Sequence, residues 1–345
     1  MSGESRGADS GLVAVLATLM VLLLSAGWLL AGVLVDDDLP PLTVAGGRTL
    51  VCCLVLTGIA AARRRYRIEV AAATRRRKAV LGLAVLGFLL YYTGTMLGIA
   101  VVGASRTGLV VSLLPCITFV IGVAAFGERA SPVTVAGTVL AVLAAVGYGL
   151  DSSAARGALP VPELLGGLAL GFAGTVAYAV YGYVYRRTMP DLRPLAALPA
   201  ITGVSVVLLA PGALLSLRSV GITGSDLVGL ALLGGVLTAP VFLLSHELIL
   251  RRGPLFTSAV ALLVPFLVRL GEWAVGQAGP PGPVPILLLA MCAAGVWMTV
   301  TGRATGERAA EPAAEPAAEP AAEVAETTVG EEPAAPDAVG RGRPA

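Results

Sequence analysis

The stretch Gly253–Gln277, GPLFTSAVALLVPFLVRLGEWAVGQ, decides how the chain is organised. It is long and apolar enough to cross a bilayer, which takes about 20 apolar residues. Yet it carries Arg269 and Glu272, three residues apart, inside the apolar run. Residues Gly103–Glu128, GASRTGLVVSLLPCITFVIGVAAFGE, present the same signals in the same order: a Gly, an apolar run, a Pro in its middle, and a closing Gly followed by Glu or Gln. Gly103 stands as far before Pro115 as Gly253 does before Pro265, and the second copy closes one residue early, at Gly276-Gln277. Two such copies indicate a duplicated membrane protein whose halves face each other.

Composition agrees. Of the 345 residues 56% are hydrophobic and 13% charged, against about 25% charged in soluble domains. Ten stretches are apolar enough to span: 11–35, 42–62, 79–102, 107–126, 132–150, 165–185, 195–217, 227–250, 254–275 and 284–302. The expected fold is an all-α integral membrane protein with ten transmembrane helices, antiparallel to their neighbours because the linkers are short. A single Arg6 precedes a first apolar run of about 25 residues, too long for the core of a signal peptide, so the first span is expected to be uncleaved.

The four cysteines all lie in apolar runs without a C-x-x-C pair and read as small buried hydrophobes. One histidine excludes a multi-histidine metal site. The chain has no phosphate-cradling Gly loop, no nucleophile elbow and no basic, aromatic surface for nucleic acid. No metal, cofactor, nucleic acid or enzymatic reaction is therefore expected. The expected partners are the lipid bilayer and a small-molecule substrate, and nothing in the sequence bears on oligomeric state.

Lys and Arg are retained on the cytoplasmic side of membrane proteins. They gather at residues 63–78, at Arg186-Arg187 and at Arg251-Arg252, all on one side if ten spans are counted. Both termini are then cytoplasmic, in the cell (inner or plasma) membrane. Five spans per half make the two halves enter from opposite sides, the inverted-repeat plan of secondary transporters with substrate sites near the midplane. The expected division is a cytoplasmic N-terminus at 1–10, a first repeat at 11–150, an external linker at 151–164, a second repeat at 165–302 and a tail at 303–345. The tail repeats Glu-Pro-Ala-Ala from Glu311 to Pro320. Prolines at every fourth residue and the lack of large apolar side chains predict a disordered, acidic cytoplasmic segment.

Several motifs stand in a definite order. They are Leu39-Pro40-Pro41-Leu42-Thr43 with Arg48, then Ala104-Ser105, Leu113-Leu114-Pro115, Gly127-Glu128-Arg129-Ala130-Ser131-Pro132 and Gly137, and in the second half Leu250-Arg251-Arg252-Gly253 and Pro265. In these the chain resembles the drug/metabolite transporter superfamily, specifically the EamA-type permeases with two five-helix repeats, over about residues 11–302. Gln277 stands where that family has Glu, His246-Glu247 where it more often has an aromatic and a neutral polar residue, and Arg269 and Glu272 where it is apolar. The resemblance implies alternating access through a pathway between the halves, with exporters and importers sharing one fold.

Charges inside a bilayer are costly, so each is a candidate. Arg269 and Glu272 read either as an ion pair tying helices together or as a pair in which Glu272 titrates or faces substrate while Arg269 binds an anionic group. His246 and Glu247 read either as an interfacial pair with Arg251 or as a proton relay, since an unperturbed imidazole titrates near pH 6.5. Tyr178, Tyr181 and Tyr185 share one helix face by spacing. By family analogy Tyr91, Tyr92 and Trp28 line the same cavity, with ordinary packing, and interfacial anchoring for Tyr185 and Trp297, as the alternative. Arg48 and Arg106 read as snorkelling to the outer interface. Pro115 and Pro265 are candidate hinges. The expected function is secondary transport, as an exporter of a small metabolite or drug-like solute, with proton coupling as one option. A transport-inactive scaffold recruiting a partner through the tail is the alternative.

Overall fold

The structure is a computed structural model that describes residues 2–102, 107, 110–127, 131–153, 160–218, 221–276 and 279–310, without the side chains of 2–10, 36, 149–153, 272, 300 and 303–310. Hydrocarbon offers no partner to a backbone N–H or C=O, so an apolar chain must pair these groups within each segment. The described residues accordingly form helices joined by turns, without a strand. In order they are α1 (Ser2–Asp36), α2 (Pro41–Ala61), α3 (Arg64–Arg75), α4 (Arg77–Ala84), α5 (Tyr91–Val102), α6 (Leu114–Phe126), α7 (Pro132–Ser153), α8 (Val161–Thr188), α9 (Pro194–Leu217), α10 (Gly224–Ala231), α11 (Ala239–Arg252), α12 (Pro254–Ala261), α13 (Val264–Ala274) and α14 (Pro283–Ala310). Prolines open many of them, at the position where a missing N–H leaves nothing unpaired.

Among the described residues, seven helical stretches are long and apolar enough to cross a membrane: Gly11–Val35, Pro41–Ala61, Arg77–Val102, Val161–Thr188, Pro194–Leu217, Gly224–Arg252 and Pro254–Gly271. Three further apolar helices, Leu114–Phe126, Pro132–Tyr148 and Pro283–Thr299, are shorter. The sequence expectation is ten transmembrane helices; the described residues show seven stretches of spanning length and three shorter apolar helices. Its fourth stretch breaks in a turn at Ser112–Leu113, and its ninth in a turn at Leu262–Leu263. Each break falls just ahead of a proline. Leu113 N–H bonds Val110 O at 3.0 Å, and Leu263 N–H bonds Val260 O at 3.2 Å, before the next helix starts with Pro115 or Pro265 in its first turn. Gly127 (φ 66°) and Gly276 (φ 77°) then close the two helices in the left-handed region that favours glycine. A second recurrence joins α4 to α5 and α10 to α11: each pair is continuous through a π-helical segment, Val85–Leu90 and Leu232–Thr238.

The charged segment 63–78, read from the sequence as a loop, is mostly the helix α3. Alanine and arginine are good helix formers, and the segment is amphipathic. Ala73 is fully buried, whereas Ile68 is 66% exposed. The last helix runs to Ala310, past the expected boundary at 303, and residues 311–345 lie outside the described residues.

Helices of the two halves interleave. α1 packs on α11 and α13, α2 on α9, α5 on α8, and α6 on α8 and α12. Small residues let backbones touch where lipid supplies no hydrophobic drive for association. A Cβ on Gly94 would lie 2.6 Å from Leu170 O and 3.1 Å from Gly174 Cα, and one on Gly295 would lie 2.5 Å from Ala141 N. The α7–α14 seam is tied further by Ser131 Oγ donating to Gly302 O at 2.9 Å and by a Thr138–Thr299 hydroxyl bond at 3.3 Å. Gly94→Ala and Gly295→Ala are each expected to destabilise the fold by about 1 to 3 kcal/mol through overpacking, read as a lowered melting temperature in detergent. Gly58→Ala, whose Cβ would meet nothing within 4 Å, leaves it unchanged.

Candidate functional site

An aromatic cluster occupies the contact between α5, α8 and α11. Tyr91 stacks on Tyr178 with ring centroids 4.5 Å apart, Tyr178 continues onto Tyr181 at 5.6 Å, and Tyr181 onto Tyr185 at 6.1 Å. Phe88 stands edge-on to Tyr92, Tyr181 and Phe242. The tyrosines at helical spacing on α8 thus form a ladder, and Tyr181 and Tyr185 are almost fully buried. His246 closes the ladder from α11, with Tyr185 edge-on at 4.5 Å. Its Nδ1 lies 2.6 Å from Phe242 O, and its Nε2 is hydrogen-bonded to the Tyr181 hydroxyl. A carbonyl can only accept, so Nδ1 carries a proton, and in the neutral ring Nε2 accepts from Tyr181. The Tyr185 hydroxyl is buried beside it without a hydrogen bond.

Arg48 meets the other end of the cluster. Its Cζ stands 4.2 Å over the Tyr92 ring, and its Nε is buried with no hydrogen-bond partner. The snorkelling expected from the sequence is not what the side chain does: it turns inward to an aromatic face, where a desolvated cation gains cation–π energy.

The other candidates lie elsewhere. Trp28 packs against a separate core that contains Phe256, Val260 and Phe266, not with the tyrosines. Tyr185, read as an end anchor, is inside the ladder, while Trp297 is 70% exposed. Glu247 accepts a 2.6 Å bond from Arg251 Nε one turn on, the interfacial pairing among the two readings. Arg269 donates to Gly279 O at 3.2 Å, in the segment leading to α14. The side chain of Glu272, with Arg106 and Gln277, lies outside the described residues. The structure brings Tyr91, Tyr92, Tyr178, Tyr181 and His246 together, and it does not bring Arg269, Glu247 or Trp28 to them.

A profile of the EamA-like transporter family matches residues 11–150. That segment is EamA-like. Among solved structures 29 chains match. One of them, titled only as the crystal structure of a protein, superposes with a TM-score of 0.71 at 19% identity and covers 86% of this chain and 99% of its own. At that identity the likeness is one of fold. No curated protein matches the chain. The EamA-like match over residues 11–150 and the apolar helices indicate a multi-pass membrane protein.

Within the EamA-like segment, Arg48 and Tyr92 supply the cation and its aromatic cover, and the second half supplies Tyr178, Tyr181 and His246. The sequence places Arg48 as a charge that snorkels to the outer interface. The missed signal is its place seven residues into α2, behind Gly46 and Gly47, which brings it about 10 Å along the helix axis. At the arginine-rich end, Arg76 joins the halves. It donates to Asp191 Oδ1 and Oδ2 at 2.8 and 2.5 Å and to Thr188 O at 2.5 Å. This fork holds the Asp191 carboxyl below its ordinary value of 3.8.

Tyr181→Phe removes the donor to the buried His246 Nε2 and is expected to cost about 1 to 3 kcal/mol of stability, measured by unfolding in detergent. Asp191→Asn is expected to cost less than about 1 kcal/mol near neutral pH, because the pair is exposed. A lowered carboxyl pKa stabilises the fold above the unfolded value and stops doing so as pH falls through the folded one. The gap between Asp191→Asn and the parent protein should therefore close below the ordinary carboxyl value of 3.8.

Proposed function

We propose that the protein is a secondary transporter moving a small metabolite or drug-like solute across the cytoplasmic membrane by alternating access. Its ten spans would form two inverted five-helix repeats, residues 11–150 and 165–302, with both termini cytoplasmic. The observation that carries this reading is the shared register of the interruptions. A turn precedes Pro115 and Pro265, a left-handed glycine closes each following helix, and a π-helical segment lies in both Arg77–Val102 and Gly224–Arg252. Membrane helices interrupted at matching places are where transporters build their sites. Interleaving across the halves supports the same reading, because a pathway between repeats can then open at either end as they rock. Pro115 and Pro265 serve as the hinges, since each stands at a break and not in the middle of a helix.

Proton coupling on this reading rests on His246, which is held among Tyr181, Tyr185 and Phe242 of the second half, and not on Glu247, which is spent on Arg251. The test is flux in proteoliposomes loaded with a metabolite extract, with and without a pH gradient. Protein-dependent movement of at least one small solute is expected, and a folded protein that moves none rejects the proposal. His246→Gln should abolish acceleration by the gradient while Glu247→Gln keeps it, and the reverse pattern would shift coupling to Glu247. Deleting residues 303–345 should leave flux intact, because the spans are the working part.

A further inference from the structure

We propose that Arg48 binds the anionic end of the transported solute, so that the substrate class is an organic monoanion: a carboxylate carried on a flat apolar body. This rests on the reading of the spans as a solute pathway.

The first support is an uncompensated charge. Arginine is always protonated and is costly within a membrane unless it is paired or in use. The ion pairs among the described residues are Arg65–Glu69, Arg76–Asp191 and Arg251–Glu247, and none involves Arg48. Its guanidinium has the Tyr92 ring for company, and its Nε is buried without an acceptor. The Tyr92 ring and hydroxyl compensate part of the cation but leave Nε, one arm of the N–H fork, unused. A carboxylate matches that fork with two parallel hydrogen bonds.

The second support is what surrounds the charge. Tyr92 meets Tyr91 at a tilt, and from Tyr91 the rings of Tyr178 and Tyr181 continue as a stack whose faces suit a planar apolar group. Among the described residues no ion pair or hydrogen bond brings an Asp or Glu to Tyr91, Tyr92, Tyr178 or Tyr181, and Glu247, paired with Arg251, bears only on Tyr185 at the far end, so a solute ammonium beside Arg48 would have no carboxylate to meet. That favours a monoanion over a zwitterion.

The third support is backbone irregularity aimed at the same spot. The π segment Val85–Leu90 leads directly into Tyr91 and Tyr92. The other, Leu232–Thr238, presses on the residue itself: a Cβ at Gly234 would stand 2.6 Å from Arg48 O. π segments within α-helices recur at functional sites. With the solute absent, Tyr92 covers the cation; the incoming carboxylate takes its place, and the flat body displaces ring-to-ring contact with solute-to-ring contact.

The test uses the purified full chain in detergent, its melting temperature followed with 3-phenylpropionate and with the neutral isostere 3-phenylpropanamide. The carboxylate should raise the melting temperature and the amide should not. Arg48→Gln should weaken carboxylate binding by on the order of a hundredfold. Arg48→Lys, which keeps the charge but not the fork, guards against misfolding and should bind at an intermediate level. Equal shifts by acid and amide, a carboxylate shift that survives Arg48→Gln, or no shift in the folded parent would overturn the proposal. Flux of neutral solutes alone in proteoliposomes would leave the transport reading standing and sink this one. Arg48-dependent carboxylate binding without any flux would do the opposite.

Discussion

Every peptide group placed in hydrocarbon has to find its hydrogen bond inside the protein, and this requirement governs where the chain is regular and where it is not. Regular helix satisfies it without help. An interruption is tolerable only where neighbouring helices cover the freed groups, and here the interruptions before Pro115 and Pro265 lie just ahead of α6 and between α12 and α13, and α6 packs on α12. Leu113 and Leu263 resolve the break in the same way, with a tightened turn and then a proline that has no N–H to leave orphaned. Close approach is the complement of this rule. Glycines at 94, 174, 137 and 295 bring backbones to within contact, because two lipid-solvated helices gain only from packing and polar ties.

Charge is governed by the same low dielectric. Arginines 65, 76 and 251 each reach a carboxylate near the ends of the spans, where water screens the pair and the energy at stake is small. Arg48 is different in kind: it lies within a span, beside rings and not beside a carboxylate. His246 is the other polar group held deep among rings, and its two ring nitrogens are both engaged, one by a carbonyl and one by a phenol. Among the described residues, Arg48 and His246 thus stand at opposite sides of one aromatic cluster.

The sequence made the helices legible because apolar length and proline placement are local properties. The ends of the spans fall within a few residues of Pro41, Pro132, Pro194, Pro254 and Pro283. The echo between Gly103–Glu128 and Gly253–Gln277 reappears as matching turns and matching left-handed glycines. What was not legible depends on which helices become neighbours. Arg48 looked interfacial because its distance from the helix start is ambiguous until Tyr92 is known to face it. Tyr185 looked like an anchor because it is near a helix end, yet His246 approaches it from another element. Trp28 groups with the tyrosines by analogy, and α1 instead packs it against the separate core that α1 shares with α7, α11, α12 and α13. Segment 63–78 was read by charge as a loop, although its alanines and its spacing suit an amphipathic helix.

That short helix has an architectural effect. Twelve residues of α helix measure about 18 Å end to end, so α3 is a rigid strut between α2 and α4 and not a tether. Two consecutive helices joined by a strut do not close into a hairpin: they diverge at the arginine-rich end and meet again where Arg48 touches Tyr92. α9 fills the wedge between them, contacting α2, α3 and α4 in turn. The strut therefore accounts for why α2 takes its main partner from the far half of the chain, and it means that any tilt of α9 is transmitted to both arms of the wedge at once.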